Sequence, residues 1–136
     1  MNIYFSGSIA SGRDKVNDYA KIVEVLNNYG KVLTMHVANP TLGTVENGIT
    51  AEEIYNRDIN WLEESDIVFA EISIPSLGVG YELAYAEAKN LPVICMYDEK
   101  ISVSRMITGN NKFTKIPYKN IEELLEKIHE IMNKEK

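Results

Sequence analysis

Residues 66–97, "DIVFAEISIPSLGVGYELAYAEAKNLPVICMY", decide the fold. "DIVFAEI" is an apolar run of strand length, and "PVICMY" is another. Between them, a loop containing Pro75, Gly78 and Gly80 leads into a helical stretch, rich in Leu and Ala, that ends near Asn90. The unit is strand, helix, strand.

Working outward, the alternation continues on both sides. "NIYFSG" (2–7) reads as a buried strand. Residues 14–29 carry helical spacing through Tyr19, Ile22, Val23 and Leu26, closed by Gly30, and "KVLTMHV" (31–37) reads as a second strand. After a polar loop, Thr50 and Glu53 form a capping box that opens a helix to about Glu64. Beyond "PVICMY", residues 101–110 read as a loop or short helix, "KFTKIPY" as a fifth strand, and 119–134 as an amphipathic helix. The prediction is a doubly wound, Rossmann- or flavodoxin-like α/β sheet of about five parallel strands in three layers. Residues 1–136 read as a single domain, without repeat, linker or low-complexity tract.

Composition narrows the function. The chain is 45% hydrophobic and 25% charged, an ordinary globular balance. Its formal net charge of −6 argues against a nucleic-acid polymer as partner. A small phosphorylated ligand is still allowed, because a local nest of backbone N–H groups can hold one phosphate. The single cysteine, Cys95, lies in an apolar run and is expected to be a buried thiol. With no basic leader and no long apolar stretch, neither secretion nor a membrane is expected, and a cytoplasmic location is.

In doubly wound sheets ligands bind where strands give way to helices. That directs attention to loops 6–13, 36–50 and 72–80. The first, "GSIASGRD", is a near miss to a triphosphate-binding loop: Arg13 stands where Lys is needed and Asp14 where a hydroxyl is. Gly7, Ser8, Ile9 and Ala10 are left as candidates for close approach by a smaller ligand. On the helix at 51–64, Asp58 falls inside the apolar arc of Ile54, Tyr55, Ile59, Trp61 and Leu62, while Arg57 falls on the opposite side. A carboxylate facing the sheet is costly unless bonded or lining a cavity, and burial would raise its pKa. Glu82 is expected in the first turn of the next helix, where the helix dipole favours an ionised carboxylate. Two carboxylates in unlike surroundings can divide acid and nucleophile work at a glycosidic carbon. Tyr4 on the first strand is a candidate cap for that pocket, and His36 a candidate contact to a base or phosphate. Ser76 and Gly78 suit a phosphate at a helix N-terminus. His129 is expected to be solvated.

"YFSGSI", "VLTMHV", "RDINWLEESDIVFAEISIPSLGVGYELAYA" and "SRMITG" together resemble the 2′-deoxynucleoside 5′-phosphate N-hydrolases, relatives of the nucleoside 2-deoxyribosyltransferases. The resemblance covers nearly the whole chain. Its most specific part is D-x-x-W-L followed by P-S-L-G-V-G-Y-E-L. It implies hydrolysis of a deoxynucleoside monophosphate to free base and 2-deoxyribose 5-phosphate. Glu82 would form a covalent sugar intermediate, Asp58 would orient Glu82 and shuttle protons, and Tyr4 would form the floor under the sugar. Ser76 and Gly78 would hold the phosphate, helped by Ser104 from the second subunit of a homodimer. No metal or other cofactor is implied. In one departure, Ala10 replaces an arginine of vertebrate members, which leaves the preferred base open. The alternatives are a deoxyribosyltransferase acting on unphosphorylated nucleosides and a non-catalytic nucleotide-binding module.

Overall fold

A computed structural model describes residues 1–8, 15–38 and 48–134. Among them, strands β1 (Asn2–Gly7), β2 (Lys31–Val32), β3 (Ile67–Glu71), β4 (Val93–Asp98) and β5 (Thr114–Tyr118) form one sheet. Its order is β2-β1-β3-β4-β5, and every pairing is parallel. The helices are α1 (Val16–Leu26), α2 (Ala51–Glu64), α3 (Leu77–Ala88), the single turn α4 (Arg105–Thr108) and α5 (Ile121–Lys134).

Each face of the sheet carries its own core. Ile3 and Phe5 of β1 point to one face, with Phe69 and Met96, and pack against Tyr19, Ile22 and Leu26 of α1 and Leu124, Ile128 and Met132 of α5. Tyr4, Val68, Ala70 and Cys95 point to the other, against Leu62 of α2 and Val79, Leu83 and Ala86 of α3. This period-two alternation on strands and four-residue recurrence on helices makes three layers. Cys95 is fully buried, and burial pushes its thiol up to about 12, so it serves as packing.

The helix ends follow local chemistry. Thr50 Oγ1 accepts from Glu53 N at 3.1 Å and opens α2; Ser76 Oγ accepts from Val79 N at 3.3 Å and opens α3. Asn90, at φ 61°, takes the left-handed conformation that ends α3. Leu91 N donates to Ala86 O and Asn90 N to Glu87 O, the paired bonds of a Schellman stop.

The second strand is shorter than the expected 31–37. Only Lys31 and Val32 pair with β1, and a 3₁₀ turn occupies Met35–Ala38. Thr34 explains the difference. Its hydroxyl accepts from Phe5 N at 2.8 Å and donates to Phe5 O at 2.6 Å, occupying the β1 groups a longer ladder would use. The chain then turns and brings His36 back towards α2.

Because α1 follows β1 onto one face and α3 follows β3 onto the other, the crevice between these neighbouring strands is the topological switch point. No helix among the described residues is long and apolar enough to cross a membrane.

Candidate active site

Three elements deliver side chains to that crevice. β1 supplies Tyr4, α2 supplies Asp58 and α3 supplies Glu82. Asp58, Ile59, Leu77, Gly78, Tyr81 and Glu82, together with Tyr55, line a cavity of about 390 Å³. Tyr4 is buried, and the Glu82 and Asp58 charges both act on its phenol.

Glu82 corrects an expectation. Ser76 caps α3, so Glu82 lies in the second turn, past the N–H groups that would favour its charge. Desolvation dominates instead and pushes its carboxyl up to about 7, with the nearby Asp58 charge adding to the rise. The Tyr4 phenol and the Arg57 charge pull the other way. Glu82 is therefore poised between protonated and ionised near neutrality. Tyr4 is raised far above the usual phenol range, by burial first and then by the Glu82 and Asp58 charges, so it remains a neutral donor.

Asp58 reaches the cavity, as its place in the apolar arc suggests, but it is not alone there. Arg57 Nε donates to Asp58 Oδ1 at 2.9 Å, and the two side chains are 24% and 23% exposed. The expected outward position of Arg57 is wrong, because a long flexible side chain can curl back over its own helix. Its guanidinium lies 5.1 Å over the Trp61 ring and 3.2 Å from His36 Nε2. His36 thus belongs to this cluster beside the cavity.

The remaining candidates divide. A Cβ on Gly7 would come within 2.8 Å of Tyr19 Cζ, so packing against α1 accounts for this glycine. Ser8 is buried and its carbonyl accepts from the Tyr19 hydroxyl at 3.4 Å. Ile9 and Ala10 lie outside the described residues. Gly78 borders the cavity, where an added Cβ would meet only Ser76 Oγ at 3.8 Å, and at Gly80 it would meet nothing within 4 Å. Ser76 and Ser104 line a second cleft of about 710 Å³ with Ser102 and Ile107. Ser104 also caps α4, accepting from Met106 N at 3.2 Å. His129, expected to be solvated, contacts Tyr29 instead: their rings are 5.5 Å apart and the Tyr29 hydroxyl bonds Nδ1.

Two further features escaped the sequence reading. Tyr55 and Tyr81 form an edge-to-face pair, 6.2 Å between centroids, at the cavity rim. Glu71, at the end of β3, is fully buried and accepts from Ser73 N at 2.8 Å, Ser73 Oγ at 2.9 Å and the Tyr118 hydroxyl. It ties β5 to the loop leading to Ser76. Its signal was a lone acid at the end of an apolar strand.

A sequence profile described as nucleoside 2-deoxyribosyltransferase matches residues 3–129. The chain belongs to this family. Among its relatives is a 5-hydroxymethyl-dUMP N-hydrolase of Danio rerio, 42% identical, with 98% of this chain and 99% of the relative covered. A second, from Syntrophotalea carbinolica, carries the name 2′-deoxynucleoside 5′-phosphate N-hydrolase 1; it is 39% identical over 91% of this chain and 89% of its own. Among solved structures, a CMP N-glycosidase from Clostridium botulinum superposes with a TM-score of 0.70 over 95% of this chain and 99% of its own, at 17% identity. That likeness bears out the three-layer fold. Within the family frame, Tyr4, Asp58 and Glu82, drawn from three separate elements, meet at one crevice.

Proposed function

We propose that the chain hydrolyses the N-glycosidic bond of 2′-deoxynucleoside 5′-monophosphates, releasing free base and 2-deoxyribose 5-phosphate. The observation that carries this reading is the pair of carboxylates in one cavity with unlike partners: Asp58 held by a guanidinium, Glu82 desolvated beside a neutral phenol. The relatives' names supply the substrate class.

In the first step the ionised Glu82 carboxylate attacks C1′. The C1′–N bond breaks, and its electron pair leaves on the base, which takes up a proton. In the second step water attacks C1′, the ester C1′–O bond breaks, and Glu82 is returned as a carboxylate. Asp58 shuttles both protons: it relays one from solvent to the departing base in the first step, and in the second it takes one from the attacking water and returns it to solvent. Tyr4 supports the sugar from below and donates to Glu82, restraining it until the sugar is seated. A 2′-deoxy sugar lacks the electron-withdrawing hydroxyl, so its cationic transition state is reached more easily.

The phosphate is held by donors at the α3 N-terminus, Ser76 and Gly78, with Ser104 from a second copy of the chain; the chain's own Ser104 lines the cleft on the other side of Ser76, not the cavity of Asp58 and Glu82. Exposed apolar side chains support a homodimer: Leu77 is 97% exposed and Met106, beside Ser104, is 86% exposed. The glycines at 78 and 80 support it too. Helical glycine costs about 1 kcal/mol relative to alanine, and no close contact among the described residues requires either. A ligand or second copy would. Mixing Ser104→Ala with Glu82→Ala subunits tests the shared site. Each variant alone should be impaired, and mixed dimers should regain activity through one intact pocket. No recovery after proven subunit exchange contradicts the cross-subunit role. The covalent step is tested by quenching the enzyme during turnover and weighing its peptides: a deoxyribose phosphate adduct on the Glu82 peptide is expected, and an adduct elsewhere overturns the assignment.

A further inference from the structure

Among the described residues, Arg57 makes three contacts at once from a half-buried position. Its Nε donates to Asp58 Oδ1 at 2.9 Å, its Nη2 lies 3.2 Å from His36 Nε2, and its guanidinium carbon lies 5.1 Å over Trp61. His36 completes the cluster, with its ring 5.3 Å from that of Trp61 and tilted by 40°. A guanidinium has five donors and no acceptor. The contact to His36 therefore requires Nε2 to accept, so a neutral imidazole carries its proton on Nδ1. The planar fork, stacked on an indole, has little freedom to rotate away. Asp58 and His36 come from separate segments, α2 and the turn after β2, and Arg57 joins them directly.

We propose that Arg57 is a positioning residue for the reaction: it fixes the Asp58 carboxylate at the cavity wall and locks His36 in the Nδ1–H tautomer. The proposal rests on the reading that Asp58 and Glu82 act on the glycosidic bond. Arg57 stands behind the residues that line the cavity and acts through its two neighbours. Among the described residues, the groups bearing on Glu82 are Tyr4 from β1 and Asp58 and Arg57 from α2, and of these Arg57 is the one cation. Removing that charge leaves Glu82 harder to ionise.

The test compares Arg57→Gln and Arg57→Lys with the wild type. Losing a charge-assisted bond to a reacting group should lower kcat for base release about ten- to a hundredfold in Arg57→Gln. KM for the monophosphate should change far less. The acid limb of kcat/KM should move to higher pH in Arg57→Gln and stay near its wild-type position in Arg57→Lys, which keeps the charge but not the fork. A lower kcat with an unmoved limb and a lower melting temperature would make Arg57 structural only, and would overturn the proposal. A tautomer measurement separates this outcome from failure of the underlying reading. The chain has only two histidines, so ¹⁵N–¹H correlation spectra, assigned with a His129→Gln variant, isolate the His36 ring. The wild type should show the Nδ1–H form and Arg57→Gln a mixture, whether or not any nucleotide is cleaved. A wild-type ring protonated on Nε2 contradicts the clamp. If the tautomer is as expected but no deoxynucleotide is hydrolysed, the proposed activity has failed, and with it the catalytic purpose of Arg57.

Discussion

Replacing Glu82 by glutamine should make the protein more stable at alkaline pH and leave that advantage much smaller in acid. Burial raises the folded carboxyl from 4.5 to about 7, whereas in the unfolded chain it titrates at its ordinary value. Such a group contributes stability below the unfolded pKa, and that contribution is lost as pH rises through about 7. At about pH 8.5 both states are ionised, and the folded protein carries the full desolvation cost. At about pH 5.5 the folded carboxyl is protonated while the unfolded one is mostly not. With ~1.36 kcal/mol per pKa unit, Glu82 alone makes the wild type about 2 kcal/mol more stable at the lower pH. Unfolding entropy of ~2.1 cal/mol/K per residue turns this into about 7 °C of melting temperature for a chain of this length. Glutamine does not titrate. The difference between variant and wild-type melting temperatures should therefore be about 7 °C larger at the higher pH, by calorimetry or circular dichroism. An equal difference at both pH values would refute the raised carboxyl and the account of its burial.

The same ionisation should appear in the rate. Below about pH 7, kcat/KM for base release should fall about tenfold per pH unit as Glu82 protonates; a flat profile through neutrality contradicts it. Asp58→Asn keeps the shape and loses proton exchange, so turnover should fall about 10²- to 10⁴-fold, with nucleotide affinity by titration calorimetry nearly unchanged. Normal turnover with a lower melting temperature would make Asp58 structural. Tyr118→Phe removes a donor from the buried Glu71 carboxylate and should cost about 1.5–3 kcal/mol. That is about 5–10 °C in a thermal melt, with turnover per folded molecule retained; no change in melting temperature contradicts the clamp between β5 and the Ser76 loop.

The fold was legible because each element announces itself locally. The apolar strand at 67–71, the Thr50 cap, and the recurrence of Leu124, Ile128 and Met132 need no tertiary information. β2 was misread because "VLTMHV" suits a strand by propensity, whereas Thr34 closes the ladder through a side-chain bond formed with β1, a contact remote in sequence. In the site, Asp58 could be found because a polar residue breaks an apolar arc. Arg57 could not. A periodicity argument assigns a direction to each Cα–Cβ bond, but an arginine places its charge several bonds further on, where Asp58, His36 and Trp61 recruit it. Glu82 stands out in the sequence as an acid after two glycines, but its charge does not. Placing Ser76 rather than a later residue as the cap moves Glu82 from the helix mouth to a desolvated second turn, and burial then outweighs the dipole.

The most direct measurement incubates the wild type and Glu82→Gln separately with each of the common 2′-deoxynucleoside 5′-monophosphates and resolves the products by chromatography. The wild type should release free base and 2-deoxyribose 5-phosphate in equal amounts from at least one of them, and the variant none. Failure of the wild type on every monophosphate, or equal release by the variant, would contradict the account.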